Sequence, residues 1–242
     1  MYNLLISAGA AVAVFLIVSL AAGFQYWWAA LLGAMIVFTA CFVLIARSVT
    51  KKLEVLMEGA MKDIQAQRFE KGIRDLKSAL RYAKWQIYVE SQINSSIGMV
   101  YFVRREFATA FPYLEKGFFK NWVTMGMLGV TYMKRNKHDK MKETFDKAIM
   151  ATPKESLLYA LYAYCLNEIG ENVKACEIAA KGLAKLPGDE NLKVNLELLR
   201  EGKKMKMKGY GEMWLQFHLE SLAVIQKQQM AAMGGKRRII RK

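Results

Sequence analysis

Residues 129–153 read GVTYMKRNKHDKMKETFDKAIMATP, and residues 163–187 read AYCLNEIGENVKACEIAAKGLAKLP. The second stretch starts 34 positions after the first, and Gly129, Tyr132, Phe145, Ala148 and Pro153 are answered there by Ala163, Leu166, Ala179, Gly182 and Pro187. A fixed period of this length marks a stacked helical hairpin. Two antiparallel helices approach closely only where their contact points are small, and Gly129 with Ala148, then Ala163 with Ala175 and Gly182, supply such points. Upstream, Ile97, Gly98, Tyr101, Ala110, Leu114 and Gly117 fit the same template at an offset of 31 residues from Leu128 and Gly129, the difference being absorbed in the turn after Phe118 and Phe119. Met141 stands where Ala110 and Ala175 stand in the neighbouring units. The middle hairpin is therefore expected to be wider there, or to fill the gap with a flexible side chain.

A weaker unit precedes these. Leu56, Ala60, Phe69, Gly72, Leu76, Ala79 and Leu80 share the phase, but Asp63 replaces the first-helix aromatic and four extra residues separate this unit from the next. Beyond Pro187, Asp189 is placed to cap a helix carrying Leu192, Leu196 and Leu199, which would close the open end of the series. Over Ser91 to Pro187 the pattern resembles the tetratricopeptide repeat family. That resemblance implies an all-α solenoid of three to four helix-turn-helix units with a concave groove lined by the first helices. The implied groove positions include Met99, Phe102 and Val103, then Gly126, Val130, Met133 and Lys134, then Tyr164 and Asn167, a mainly apolar set. Family members that clamp a peptide's C-terminal carboxylate use Lys, Arg and Asn together; only Lys134 and Asn167 hint at this, so that specificity is not transferred.

From Met1 to Ala46 there is no charged residue and no histidine, although the chain carries 36 basic and 21 acidic residues in all. Leu4 to Ala22 and Trp27 to Ala46 are each about 20 residues, which at about 1.5 Å per residue match a hydrocarbon core of about 30 Å. We therefore expect a transmembrane helical hairpin turning at Gly23 to Tyr26. Arg47, Lys51 and Lys52 follow the second span, so the positive-inside tendency puts the repeats and the C-terminus in the cytoplasm. A bacterial cytoplasmic membrane is the expected location. A cleaved signal peptide is the competing reading of the first span, and the missing basic n-region argues against it. Ser48 to Ile64 contains no Pro and no Gly cluster, so the second span should run directly into the first repeat helix.

No phosphate loop, nucleophile elbow, paired histidines or dinucleotide fingerprint is present. We expect no enzyme activity and no cofactor. His138 and His218 lack metal-ligand spacing, and the three cysteines, Cys41, Cys165 and Cys176, read as buried small side chains rather than a disulfide framework.

An apolar groove needs a cover. Glu212 to Met233 carries Trp214, Phe217, Ser221, Val224 and Ile225 on one helical stripe, with Gly234 and Gly235 as the stop. This terminal amphipathic helix can pack on the solenoid and occupy the groove, or dock on a partner or membrane. Basic clusters flank it: Lys203, Lys204, Lys206 and Lys208 before, and Lys236, Arg237, Arg238, Arg241 and Lys242 after. Solvated segments are one reading; contact with anionic lipid is the other, at about 1 kcal/mol per basic residue. Nucleic acid is a competing polyanion that the net charge of +15 permits and no recognition motif supports.

The expected organisation is a membrane anchor over 1–47, repeats over 48–201, a basic linker over 202–209, the amphipathic helix over 210–235 and a basic tail over 236–242. The expected role is that of a membrane-anchored scaffold or adaptor binding a protein partner, itself membrane-associated. The alternative is a structural subunit or assembly factor of a membrane complex, with Gly9, Ala10 and Ala13 or Gly33 and Ala34 as helix-packing surfaces.

Overall fold

The computed structural model describes residues 1–220, and among them every regular element is helical. Ser221, Val224, Ile225, the glycine stop and the basic tail, Lys236 to Lys242, lie outside the described residues. The chain forms two compact units, Met1–Val100 with Lys116–Phe118, and Tyr101–Glu115 with the chain from Phe119 onward.

In the first unit α1 (Tyr2–Ala22) and α2 (Trp27–Gln65) form a hairpin about Gly23, whose φ of 81° is one that glycine adopts without a Cβ clash. Both helices are long and apolar enough to cross a bilayer. Short side chains are buried between them, Ser7 and Ser19 on α1 and Ala30 and Ala34 on α2. Their outward faces are left uncovered by the described residues: Leu20 is 83% exposed and Leu44 67%. The core helix of a soluble protein hides such side chains. Gly9 and Ala13 are also uncovered, whereas Ala34 belongs to the seam.

α2 does not stop where its charges begin. It continues through Arg47 to Gln65 without a break, so the boundary expected at residue 47 falls inside a helix. Its charged half packs on α3 (Phe69–Ala79), where a Cβ on Gly72 would come 2.8 Å from the Ala60 carbonyl oxygen. Asp63, at the position an aromatic would take, is buried and ion-paired with Arg68 at 2.6 Å and Lys71 at 3.0 Å. The hydrogen bond from Lys71 is the main reason its carboxyl stays below the usual carboxylate range.

α4 (Val89–Val103) is followed by α5 (Phe107–Glu115), α6 (Trp122–Lys134) by α7 (His138–Ala151), and α8 (Ser156–Glu168) by α9 (Asn172–Lys185). α10 (Glu190–Arg200) closes the series. The turns are built alike. After α2, Gln67 is left-handed, its N–H reaches the Ile64 carbonyl, and the Arg68 N–H reaches Asp63. Arg105, Asn136, Gly170 and Gly202 repeat this arrangement after α4, α6, α8 and α10. Each is a Schellman cap, which satisfies the last carbonyls of one helix while reversing the chain. Residues 67, 105, 136 and 170 lie 38, 31 and 34 positions apart, the offsets at which the small and aromatic residues recur.

In the second unit the Phe145 ring of α7 lies so close to Gly129 of α6 that any Cβ there would overlap it, and the ring stacks on Tyr162 of α8 at 4.8 Å. Met141 is fully buried, so its side chain fills the place that alanine occupies elsewhere. Asp189 caps α10 by accepting the Leu192 N–H at 2.8 Å, and Leu192, Leu196 and Leu199 are buried.

A Cβ on Gly182 of α9 would lie 2.7 Å from Cγ and 2.8 Å from Cβ of Tyr159, atoms too near the backbone to swing away. Gly182→Ala should therefore destabilise the full-length protein by about 1–3 kcal/mol, the usual cost of overpacking. The measurement is the unfolding midpoint in mild detergent, and an unchanged midpoint contradicts this packing.

Candidate functional site

α6 is buried continuously from Thr124 to Tyr132, and α8 from Leu157 to Ala163 and again at Cys165 and Leu166. α7 and α9 cover one side of these helices, and α6 and α8 touch each other. The remaining side meets the chain's own C-terminal stretch.

That stretch begins by running along α10. The Asn195 side chain accepts the Lys206 N–H at 2.6 Å and donates to the Lys206 carbonyl at 3.3 Å, and Met207 is buried. Residues 202–209 are thus a docked segment rather than a solvated linker. Lys203, Lys204, Lys206 and Lys208 are exposed because Met205 and Met207 take the inward positions. Gly211, with φ 60° and ψ −142°, then turns the chain, a conformation that a Cβ disfavours. The helix α11 (Glu212–Leu215) that follows is one turn long. The long helix expected from Glu212 is therefore corrected: residues 216–220 are not helical, and the rest lies outside the described residues. The break comes from His218, which is left-handed at φ 51° and so leaves the helical path.

Three side chains of this segment pack against α6, α8 and the α4–α5 turn. Trp214 is 1% exposed and meets Tyr164 edge-on at 4.9 Å, and its indole N–H donates to Glu220 at 2.9 Å. Phe217 is fully buried over Gly126, where a Cβ would come 2.9 Å from its ring and 2.9 Å from Leu161. Trp122 flanks the same ring at 6.5 Å. His218 lies between Phe102 at 5.7 Å and Phe107 at 5.8 Å, with Nε2 3.2 Å from the Val103 carbonyl oxygen. Its own carbonyl accepts from Lys134 Nζ at 3.0 Å.

Of the expected groove residues, Phe102, Val103, Lys134 and Tyr164 touch the segment. Val130 is fully buried on α6 beside Gly126, and Met133 is half-buried on the same helix. Met99 falls in the first unit. Asn167 is turned to α9, where its side-chain oxygen accepts from Asn172 at 3.0 Å, so Lys134 and Asn167 do not form a carboxylate clamp. Sequence reasoning missed Phe107, Trp122 and Leu161. Phe107 starts a second helix, and only first helices were counted as groove-forming; an aromatic immediately after a helix-reversing turn was the available signal.

The electrostatics follow from desolvation. Burial, and then the Arg105 charge, hold His218 below the ordinary imidazole range. Facing a carbonyl, which can only accept, Nε2 carries the proton, leaving Nδ1 bare, buried and without a partner among the described residues. Lys134 keeps part of its chain exposed, but its ammonium sits 4.9 Å over the Phe107 ring, and burial followed by the Arg105 charge lowers its pKa. Burial pushes the Tyr164 hydroxyl up to about 12 and raises the Cys165 thiol, which makes that thiol a poor nucleophile. Among the described residues, no cluster of three or more His, Cys, Asp or Glu is arranged to hold a metal ion. The contacts of this segment are aromatic rings, the Lys134 ammonium and backbone carbonyls. No family model matches this chain, and no curated protein matches it.

Gly126→Ala should eject Phe217 while favouring α6 itself by up to about 1 kcal/mol of helix propensity. Hydrogen exchange should then quicken over residues 210–220 and not within α7; no change at Phe217 would refute the seat described above. Acid should have a related effect. Above the imidazole range His218 is neutral whether seated or released, and docking is at full strength. As the pH falls through that range the released histidine takes a proton that the seated one, beside Arg105 and Lys134, resists. Docking weakens until the seated group's lowered pKa is passed. Cleavage by trypsin after Lys208 should be faster at about pH 5.5 than at about pH 8, after correction for the protease's own pH profile, and His218→Phe should flatten the difference.

Proposed function

We propose that this chain is a membrane-anchored adaptor, with a tetratricopeptide-like solenoid that binds a short aromatic segment of a partner protein. Its own residues 210–220 keep the groove closed until a partner replaces them. The observation that carries this reading is the seating of Trp214, Phe217 and His218. Trp214 on α11 and Phe217 in the turn that follows it set two aromatic side chains three residues apart, each in its own place, and the carbonyl of the next residue receives an ammonium from Lys134. A partner segment with the same spacing would fit the same places. The recurrence of the Schellman turn with the small and aromatic residues supports the repeat architecture.

The two apolar helices support a membrane location. Read as spans, and with Arg47, Lys51 and Lys52 just beyond the second, they hold the groove at the cytoplasmic face, of a bacterial inner membrane in our reading. The exposed lysines at 203, 204, 206 and 208, together with the basic tail, add attraction to anionic lipid. Tethering to the membrane raises the effective concentration toward membrane-bound partners. The tethered segment gains from the same effect, so the apparent affinity for a partner is the intrinsic affinity scaled by the fraction of open molecules. An assembly role would instead use Gly9 and Ala13, which α2 leaves uncovered.

The test uses the full-length protein carrying Trp214→Ala and Phe217→Ala, and a fluorescent peptide with the sequence of residues 210–220. The peptide should bind this variant at least about tenfold more tightly than the wild type, whose groove is closed. Adding Gly126→Leu should abolish the binding. A folded double variant that does not bind the peptide would sink the proposal.

A further inference from the structure

The loop between α3 and α4 carries Lys84, Trp85, Gln86, Ile87 and Tyr88, and it is fastened to both apolar helices. The Tyr2 N–H donates to the Lys84 carbonyl at 2.9 Å, and the Trp85 ring meets the Tyr2 ring edge-on at 5.7 Å. The Gln86 amide donates to the Ala46 carbonyl at 3.0 Å and lies 3.4 Å from the Thr50 hydroxyl. The positions of these attachments matter. Tyr2 opens α1, and Ala46 is the last residue of α2 before Arg47 and the charges that follow. The loop therefore lies at the level where the hairpin changes from apolar to charged.

Its composition suits that level. Ile87 is 55% exposed, and Tyr88, left-handed at φ 70°, is half exposed while also meeting Phe118 at 5.2 Å. Between the loop and the helices lies a cavity of about 300 Å³, walled mainly by Leu4, Phe42, Trp85 and Ile87. Leu4 of α1 and Phe42 of α2, which wall it, are themselves exposed side chains of the apolar helices. Indole and phenol rings concentrate at the boundary between hydrocarbon and water, where an apolar body and a polar edge are both satisfied.

We propose that the loop Lys84–Tyr88 is a third membrane contact, with Trp85 and Ile87 entering the lipid at the glycerol level and a phospholipid acyl chain filling the cavity beneath them. The proposal rests on reading α1 and α2 as membrane spans. Lipid is the occupant because this surface continues the one that those helices already present to their surroundings. The contact would hold the short connection to α4 against the bilayer and so fix the tilt of the charged half of α2.

The experiment uses the full chain in phospholipid nanodiscs, with Cys41→Ser, Cys165→Ala and Cys176→Ser, and one reporter cysteine at a time, Ile87→Cys or Phe42→Cys, each bearing an environment-sensitive fluorophore. Ile87 is exposed, so its replacement removes little packing. Lipids with a nitroxide near the glycerol should reduce emission from position 87 about twofold, and lipids with a nitroxide at the chain end should reduce it less, the depth order of the interface. If position 87 is quenched by aqueous iodide and by no lipid while position 42 responds to lipid, the loop contact is wrong and the spans stand. If neither position responds to lipid, the reading of the helices as spans fails, and the proposal with it.

Discussion

α6 and α8 are apolar around their circumference, and a helix of that kind has to be covered on every side. Most surface helices bury one stripe and leave the rest to water. Here Thr124 to Tyr132 and Leu157 to Leu166 leave almost no side for water, so three neighbours are needed: the partner helix of each hairpin, the adjacent hairpin, and a third cover. The arrangement of the second unit follows from supplying all three. Trp214 and Phe217 are the third cover, and the route of the chain from Arg200 to Gly211 along α10 brings them there. The cover is tethered, short and built from few side chains. Its hold is set by two buried aromatic rings against the entropy of ordering the segment.

Much of the helical layout was legible because it rests on local rules. Gly129 and Gly182 are glycine since Phe145 and Tyr159 occupy the space a side chain would need, and that leaves a mark at fixed spacing. The left-handed turns leave another: Asn136 and Gly170 are residues that tolerate that conformation. Gln67 and Arg105 adopt it without such tolerance, so the sequence carries no sign of it there. Asp189 signalled its helix by its type and place.

The C-terminal stretch was harder to read because two spacings coincide. Aromatics three residues apart fit a long amphipathic helix and a single turn equally well, and only the tertiary seats of Phe217 and His218 choose between them. The Lys-Met alternation over 204–208 did carry a signal. A period of two marks a segment with one side turned inward; Met207 is buried and Met205 half-buried although a 3-10 turn begins at Met207, and the density of charge obscured it. Asp63 misled in another way. As a substitute for an aromatic it looks like a defect, yet with Arg68 and Lys71 it forms a paired polar site at the same junction.

The unbroken course of α2 makes the angular setting of its two halves a matter of counting. Each residue advances an α-helix by about 100°, so the side of α2 that faces α3 is locked in phase with the side that faces α1. One residue inserted between Thr50 and Leu53 would rotate the Gly72 contact to a different azimuth and draw Thr50 and Ala46 out of register with whatever lies beyond the insertion. This stretch should therefore accept substitution far more readily than changes in length.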